Sequence, residues 1–201
     1  GKANISYTLF DYNMANLGGA LSQSSGDIEI RACHFKSNMA NAYEGGAIST
    51  HFMKFNMIYN CTFKDNYASK GGASSLFADI IILVNSSFIF NWANDQGGAI
   101  FAEPSLFSNT WIIIIIYGCV FKNNTSQVDG GAIKAIHFNK MYIWFTIFEL
   151  NTAIHSGGAI YNLPTKSYDR YLKKPRVVKI VLGPGNAFLH NTAHKEGILI
   201  F

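Results

Sequence analysis

The sequence predicts an all-β fold, a right-handed parallel β-helix of about seven coils, and three observations predict it. A degenerate unit of roughly 26 residues recurs along the chain. The 18 Gly and 16 Phe, set among many Asn and Ile, suit stacked strands and tight turns better than helices. No window of 12 residues shows helical periodicity free of Gly, and the leucine-rich repeat signature is missing.

The repeat is punctuated by Gly-Gly-Ala, which begins at Gly18, Gly45, Gly71, Gly97, Gly130 and Gly157, with a worn seventh copy at Gly197. The spacings are 27, 26, 26, 33, 27 and 40 residues. Ahead of the glycines stands F-x-x-N: Phe10 with Asn13, Phe35 with Asn38, Phe63 with Asn66, Phe88 with Asn91, Phe121 with Asn124, Phe148 with Asn151 and Phe188 with Asn191. Two residues before each Phe comes a small side chain (Thr8, Cys33, Cys61, Ser86, Cys119, Thr146, Asn186). Three further back comes Ile or Leu, except at Gly183.

Residues two apart on a strand share a face, so Cys and Phe point inward while His34, Thr62, Ser87, Lys36, Lys64 and Lys122 point out. A unit this short cannot bury its own apolar face. Successive units must therefore stack in parallel at ~4.8 Å per coil, a rod of ~30 Å for seven coils. Phe then stacks on Phe and Ile on Ile. The Asn column is expected to form an amide ladder at a turn, in the left-handed geometry that Asn tolerates, and Gly-Gly to supply a corner needing positive φ or close backbone approach.

Composition narrows the function classes. At 49% apolar and 14% charged the 201-residue chain folds, and a net charge of +4 falls short of the basic stripe of a nucleic-acid binder. The most apolar runs, Leu76 to Val84 and Trp111 to Tyr117, are nine and seven residues long, against the ~20 a membrane helix needs. The first residues do not read as a signal peptide. Cys33, Cys61 and Cys119 have no metal-ligand spacing, so no metal and no cofactor is expected; they read as buried free thiols, although adjacent-coil Cys33 and Cys61 would lie within disulfide reach.

The paired F-x-x-N and G-G-A-[I/L/V] elements resemble the repeats of the chlamydial polymorphic membrane proteins, and are similar to repeats in large protist surface proteins. Six of the seven units carry both elements; Ser74 departs at the Ile position of the third. The resemblance implies a parallel β-helix displayed at a cell surface, extracellular, with adhesion as its usual role. Residues 1–201 read as a single β-helix domain and, lacking polar caps, as part of a longer repeat protein with an assembly partner at its open ends.

Two insertions, 101–112 and 161–176, depart from the minimum coil, and solenoid insertions often form the binding surface. The second gathers Lys166, Arg170, Lys173, Lys174 and Arg176 with Tyr168 and Tyr171, chemistry that grips an acidic glycan, an acidic protein face or anionic headgroups. A solvated spacer would look the same. No catalytic site is expected: the 12 acidic residues are scattered, Asp95, Asp129 and Glu44 lie two, one and one residues before their glycine pairs so that adjacent-coil Asp95 and Asp129 miss a shared column by one, and His155, His190 and His194 lack a partnered nucleophile. The alternative is a polysaccharide-active β-helix enzyme with clustered carboxylates, or a subunit of a filament. Sequons at Asn60 and Asn85 fall in one outward column and are the candidate glycosylation sites, whereas the sequon residue Asn124 belongs to the ladder.

Overall fold

The computed structural model describes residues 1–104, 112–163, 168–169, 174–175, 179–195 and 199–200. Among these the chain is strand and turn, with no helix, wound into a parallel β-solenoid of about six turns. Two of its sheets are seven strands deep, so the seven repeat copies form seven rungs separated by six steps.

The strand that carries the Ile position contributes once per rung: β1 (Lys2–Ser6), β2 (Gly26–Arg31), β3 (Ile48–Tyr59), β4 (Ser74–Val84), β5 (Ile112–Tyr117), β6 (Phe138–Trp144) and β7 (Lys179–Leu182). Each pairs in parallel with the next. β3 and β4 also run through the stretch just after the glycines, which joins that face to the Ile face as one sheet. Short strands such as Ser87–Ile89 carry the Phe, and strands such as Thr125–Ser126 follow the Asn.

Phe35, Phe63, Phe88, Phe121 and Phe148 are fully buried, and their rings stack at 4.7–4.8 Å with planes within 4° of parallel. Phe10 and Phe188 extend the stack at its two ends, where they are only partly covered. Fully burying a Phe stabilises by up to about 3 kcal/mol, so this column and the Ile column beside it are the main source of cohesion between rungs.

The Asn ladder runs from Asn13 to Asn191, each Nδ2 donating to Oδ1 of the next rung at 2.8–3.0 Å. Each Oδ1 also accepts the preceding Asn backbone N–H, as Asn91 does from Asn66 at 3.1 Å, and Nδ2 reaches the Phe carbonyl of the rung behind. The expected left-handed geometry falls elsewhere. It belongs to the residue before the Asn, at φ values of 52–57° for Tyr12, Ser37, Asp65, Phe90, Asn123, Leu150 and His190. The physical reason is that the ladder amide must lie along the rod axis with its backbone N–H also aimed at the next Asn Oδ1, so the preceding residue makes the turn.

The two glycines of each corner do different work. Gly71 has φ 61°, a region that costs an L-residue roughly 1–2 kcal/mol. At Gly98 a Cβ would stand 2.0 Å from the Gly131 carbonyl oxygen, so the second glycine is there for close approach between rungs.

The small-residue column has a chemical role as well as a steric one. The backbone N–H of Cys33 donates to Cys61 Sγ at 3.4 Å, that of Cys61 to Ser86 Oγ at 3.1 Å and that of Cys119 to Thr146 Oγ1 at 3.3 Å. All three thiols are unbonded and buried, and burial pushes Cys61 up to about 11 and Cys119 up to about 12. These sulfurs are hydrogen-bonding spacers.

Candidate functional site

Both insertions leave the solenoid at one corner, where the face after the glycines turns into the Ile face: the first between Glu103 and β5, the second between Leu163 and β7. Residues 105–111 of the first insertion lie outside the described residues, as do Lys166, Arg170, Tyr171, Lys173 and Arg176 of the second. The second insertion's described backbone, Tyr168–Asp169 and Lys174–Pro175, pairs as a two-stranded antiparallel ribbon. In rungs without an insertion the same corner is turned by Phe52 and His137, both at φ 56°.

Beside that corner the structure builds an ionisable seam. The positive-φ glycines fold the residue before each pair back over the outward residues after it, so Glu44 bridges to Lys70, and Gln96, Asp129 and Ser156 continue the column. The outward side chains of Ser49, Ser75, Phe101 and Lys134 are buried beneath this column. Ser75 Oγ donates to Glu44 at 2.8 Å, and His51 Nε2 lies 3.5 Å from the other Glu44 oxygen. The His51 ring stacks on Phe77 at 4.6 Å, and Glu103 occupies the next position of that column. Lys134, 3% exposed, holds Asp129 at 2.9 Å and sits 3.6 Å from the Tyr161 ring centroid.

The seam's charges are shifted in opposite senses. Burial raises the Glu44 pKa, but the bonds from His51 and Ser75 and the charge of Lys70 outweigh it and hold the carboxyl below its usual range. At Glu103 burial dominates and pushes the carboxyl up, with His137 and Lys70 only partly offsetting it. Burial likewise lowers Lys134 against the pull of Asp129. Chemically the seam is a clamp. The Glu44 carboxylate sits between the Ser75 hydroxyl, from which it accepts, and the His51 imidazole, and Asp129 is engaged by Lys134.

Glu103 gives a pH-dependent expectation. An acid whose folded pKa lies above its unfolded value binds protons more readily when folded, so its ionisation destabilises the fold and stability rises as pH falls through the carboxyl range. Glu103→Gln should therefore melt higher than the parent chain at pH 7. The difference should close below the unfolded value of about 4.3, as thermal melts at a series of pH values would show.

Counting carboxylates along the sequence missed this seam. Glu44 and His51 lie either side of a glycine corner and Ser75 lies one coil on; alignment on the glycine pairs shows the signal, a polar residue directly before the pair at Glu44, Lys70, Gln96, Asp129 and Ser156. Of the sequon residues, Asn60 and Asn85 are exposed and left-handed, with φ 52° and 47°, while Asn124 is fully buried in the ladder.

Residues 118–136 and 145–163 match the Chlamydia polymorphic membrane protein repeat. These two units are of that repeat type. Each matched segment begins at or next to the left-handed turn before the small-residue column and runs through Phe, the ladder Asn and Gly-Gly-Ala-Ile, the elements the solenoid spends on stacking. A metabotropic glutamate receptor-like protein R of Dictyostelium discoideum is 29% identical over 174 residues, 73% of this chain and 10% of that protein. The chain thus spans about a tenth of the length of this relative. No solved structure matches the chain. Among the described residues no helix is long and apolar enough to cross a membrane, and no group of three or more His, Cys, Asp or Glu could hold a metal ion.

Proposed function

We propose that this chain is a non-enzymatic module of an extracellular or cell-surface protein, a polymorphic membrane protein-type β-helix that holds two insertions out from one corner for adhesive contact. The observation that carries the reading is the placement of those insertions. They leave the same corner of the fourth and sixth rungs, two steps or ~10 Å apart, while the repeat residues between them are committed to the ring stack, the amide ladder and the clamp. The names of the matched family and of the Dictyostelium relative, a membrane protein repeat and a receptor-like protein, support a surface setting. The cations and tyrosines of 161–176 suit an acidic glycan or an acidic protein face.

Replacing 164–178 with a short Gly-Ser link should leave the far-ultraviolet spectrum of the rod unchanged and remove its attachment to acidic glycans. Attachment by the parent should weaken as salt rises, because exposed charges are screened beyond a Debye length of ~8 Å at physiological ionic strength. Equal attachment with and without the segment contradicts the reading. In a secretory pathway, sugar is expected on Asn60 or Asn85 and absent from Asn124, whose amide makes hydrogen bonds to Asn151 and to the Phe88 carbonyl. Site-resolved mass spectrometry of the secreted chain checks this, and glycan on Asn124 in folded protein would be the contrary result.

A further inference from the structure

The outer surface of the Ile face breaks the polar alternation seen elsewhere. On β4 and β5 the inward residues Ile81, Leu83, Ile114 and Ile116 are buried. Their outward neighbours are apolar too: Ile80, Ile82 and Val84 on one strand, Ile113, Ile115 and Tyr117 on the other. Near-continuous runs of this kind belong to parallel sheets covered on both faces. The apolar rows continue through β3 and β6, and charge returns at Lys140 on one margin, at Lys179 in the last rung, and in the first two rungs at Lys2, Asp27, Glu29 and Arg31.

We propose that this face is a self-association surface, on which two copies of the chain pack sheet to sheet about a two-fold axis parallel to the strands and lying between β4 and β5. Such an axis sets β4 against β5 of the second copy, β3 against β6 and β2 against β7, keeping each column opposite itself. The first column runs Asp27, Phe55, Ile80, Ile113, Lys140, Lys179. The operation brings Asp27 to Lys179, Phe55 to Lys140 and Ile80 to Ile113. In the third column Arg31 comes to Gly183, whose side-chain space the Trp144 indole fills, and a guanidinium can lie on that ring. Lys140 and Lys179 have no ion pair among the described residues, so both are available.

The size of the face agrees. Six strands at ~4.8 Å and seven residues at ~3.3 Å give on the order of 650 Å² projected, more than an incidental patch and near the ~800 Å² each partner of a specific interface buries. The charge pattern decides between a second copy and a bilayer. Glu29 is already matched by Lys2 and Arg31, so among the described residues the unmatched acid of the face is Asp27; an anionic membrane would repel it while attracting Lys179, whereas the two-fold arrangement sets one against the other. The inference does not rest on the insertions.

Sedimentation equilibrium of the 201-residue chain should show a monomer–dimer equilibrium within about 1–100 μM, and a monomer throughout overturns the proposal. Ile82→Lys, outward on the central rows, should weaken the dimer about tenfold or more with an unchanged circular dichroism spectrum. A dimer as tight as the parent's assigns the interface elsewhere and overturns it. If that variant fails to fold, charge exchange still decides: Asp27→Lys should weaken association and Asp27→Lys with Lys179→Asp should restore it, whereas no restoration contradicts the two-fold register. In a third arm, a short bismaleimide should cross-link an equimolar mixture of the Ile82→Cys and Ile115→Cys chains more readily than either chain alone, since facing sheets lie ~10 Å apart. Binding to phosphatidylglycerol vesicles through this face, without dimers, would replace the second copy with a membrane.

Discussion

Gly98→Ala is expected to leave little or no folded solenoid. The added Cβ would lie 2.0 Å from the Gly131 carbonyl oxygen and 2.7 Å from the backbone N and C of Thr125, so every clashing atom belongs to the main chain of the next rung. Relief would require the rungs to separate, which breaks the parallel ladder on either side. A loss above about 4 kcal/mol, the exceptional end for single substitutions, follows. Gly118→Ala is the matched contrast. Its Cβ meets only the Asn85 side-chain oxygen, and its φ of 63° resembles the 50° that Ala32 already adopts in the same column. That change should cost about 1 kcal/mol. Chemical denaturation of the two variants side by side distinguishes close approach from φ alone.

Phe88→Ala should cost about 3–5 kcal/mol, the range for emptying a buried aromatic site. Phe88 lies at the middle of the stack, with Phe63 at 4.7 Å and Phe121 at 4.8 Å. The strands that hold those rings are hydrogen-bonded to their neighbours, so the cavity cannot collapse along the axis. Phe10→Ala, at the partly covered end with one stacking neighbour, should cost less than half as much. Equal losses at the two positions would mean that the rings do not stack as one column.

The columns were legible because each repeats a residue type at a fixed offset: Phe, ladder Asn and glycine pairs stand out on alignment, and stacking follows from the inability of one unit to bury its face. The left-handed corners were not legible. Tyr12, Phe90 and Leu150 fill them as readily as Asn123 does, because the neighbouring rungs impose the conformation on whatever residue stands there. The thiol column showed its size but not its hydrogen bonds, since Cys, Ser and Thr share an acceptor that composition does not reveal. The seam was hidden because its partners sit in different coils. The run Trp111 to Tyr117 shows in the sequence as too short for a membrane helix; the unbroken apolar pattern of its described part, Ile112–Tyr117, also marks a sheet apolar on both faces.

The central claim is that one repeat copy makes one rung, with insertions looped out so that the columns continue across them. Leu9, His34 and Ile147 occupy one outward column of the Phe face. Spin labels on Leu9→Cys and Ile147→Cys, five steps apart, should give a pulsed electron paramagnetic resonance distance of ~24 Å, and labels on His34→Cys and Ile147→Cys, four steps apart, ~19 Å. The native thiols would be replaced by Ser, which the same column already carries at Ser86. Two narrow distributions one rung apart are the predicted result; distances that are broad, or that do not differ by ~5 Å, contradict the register.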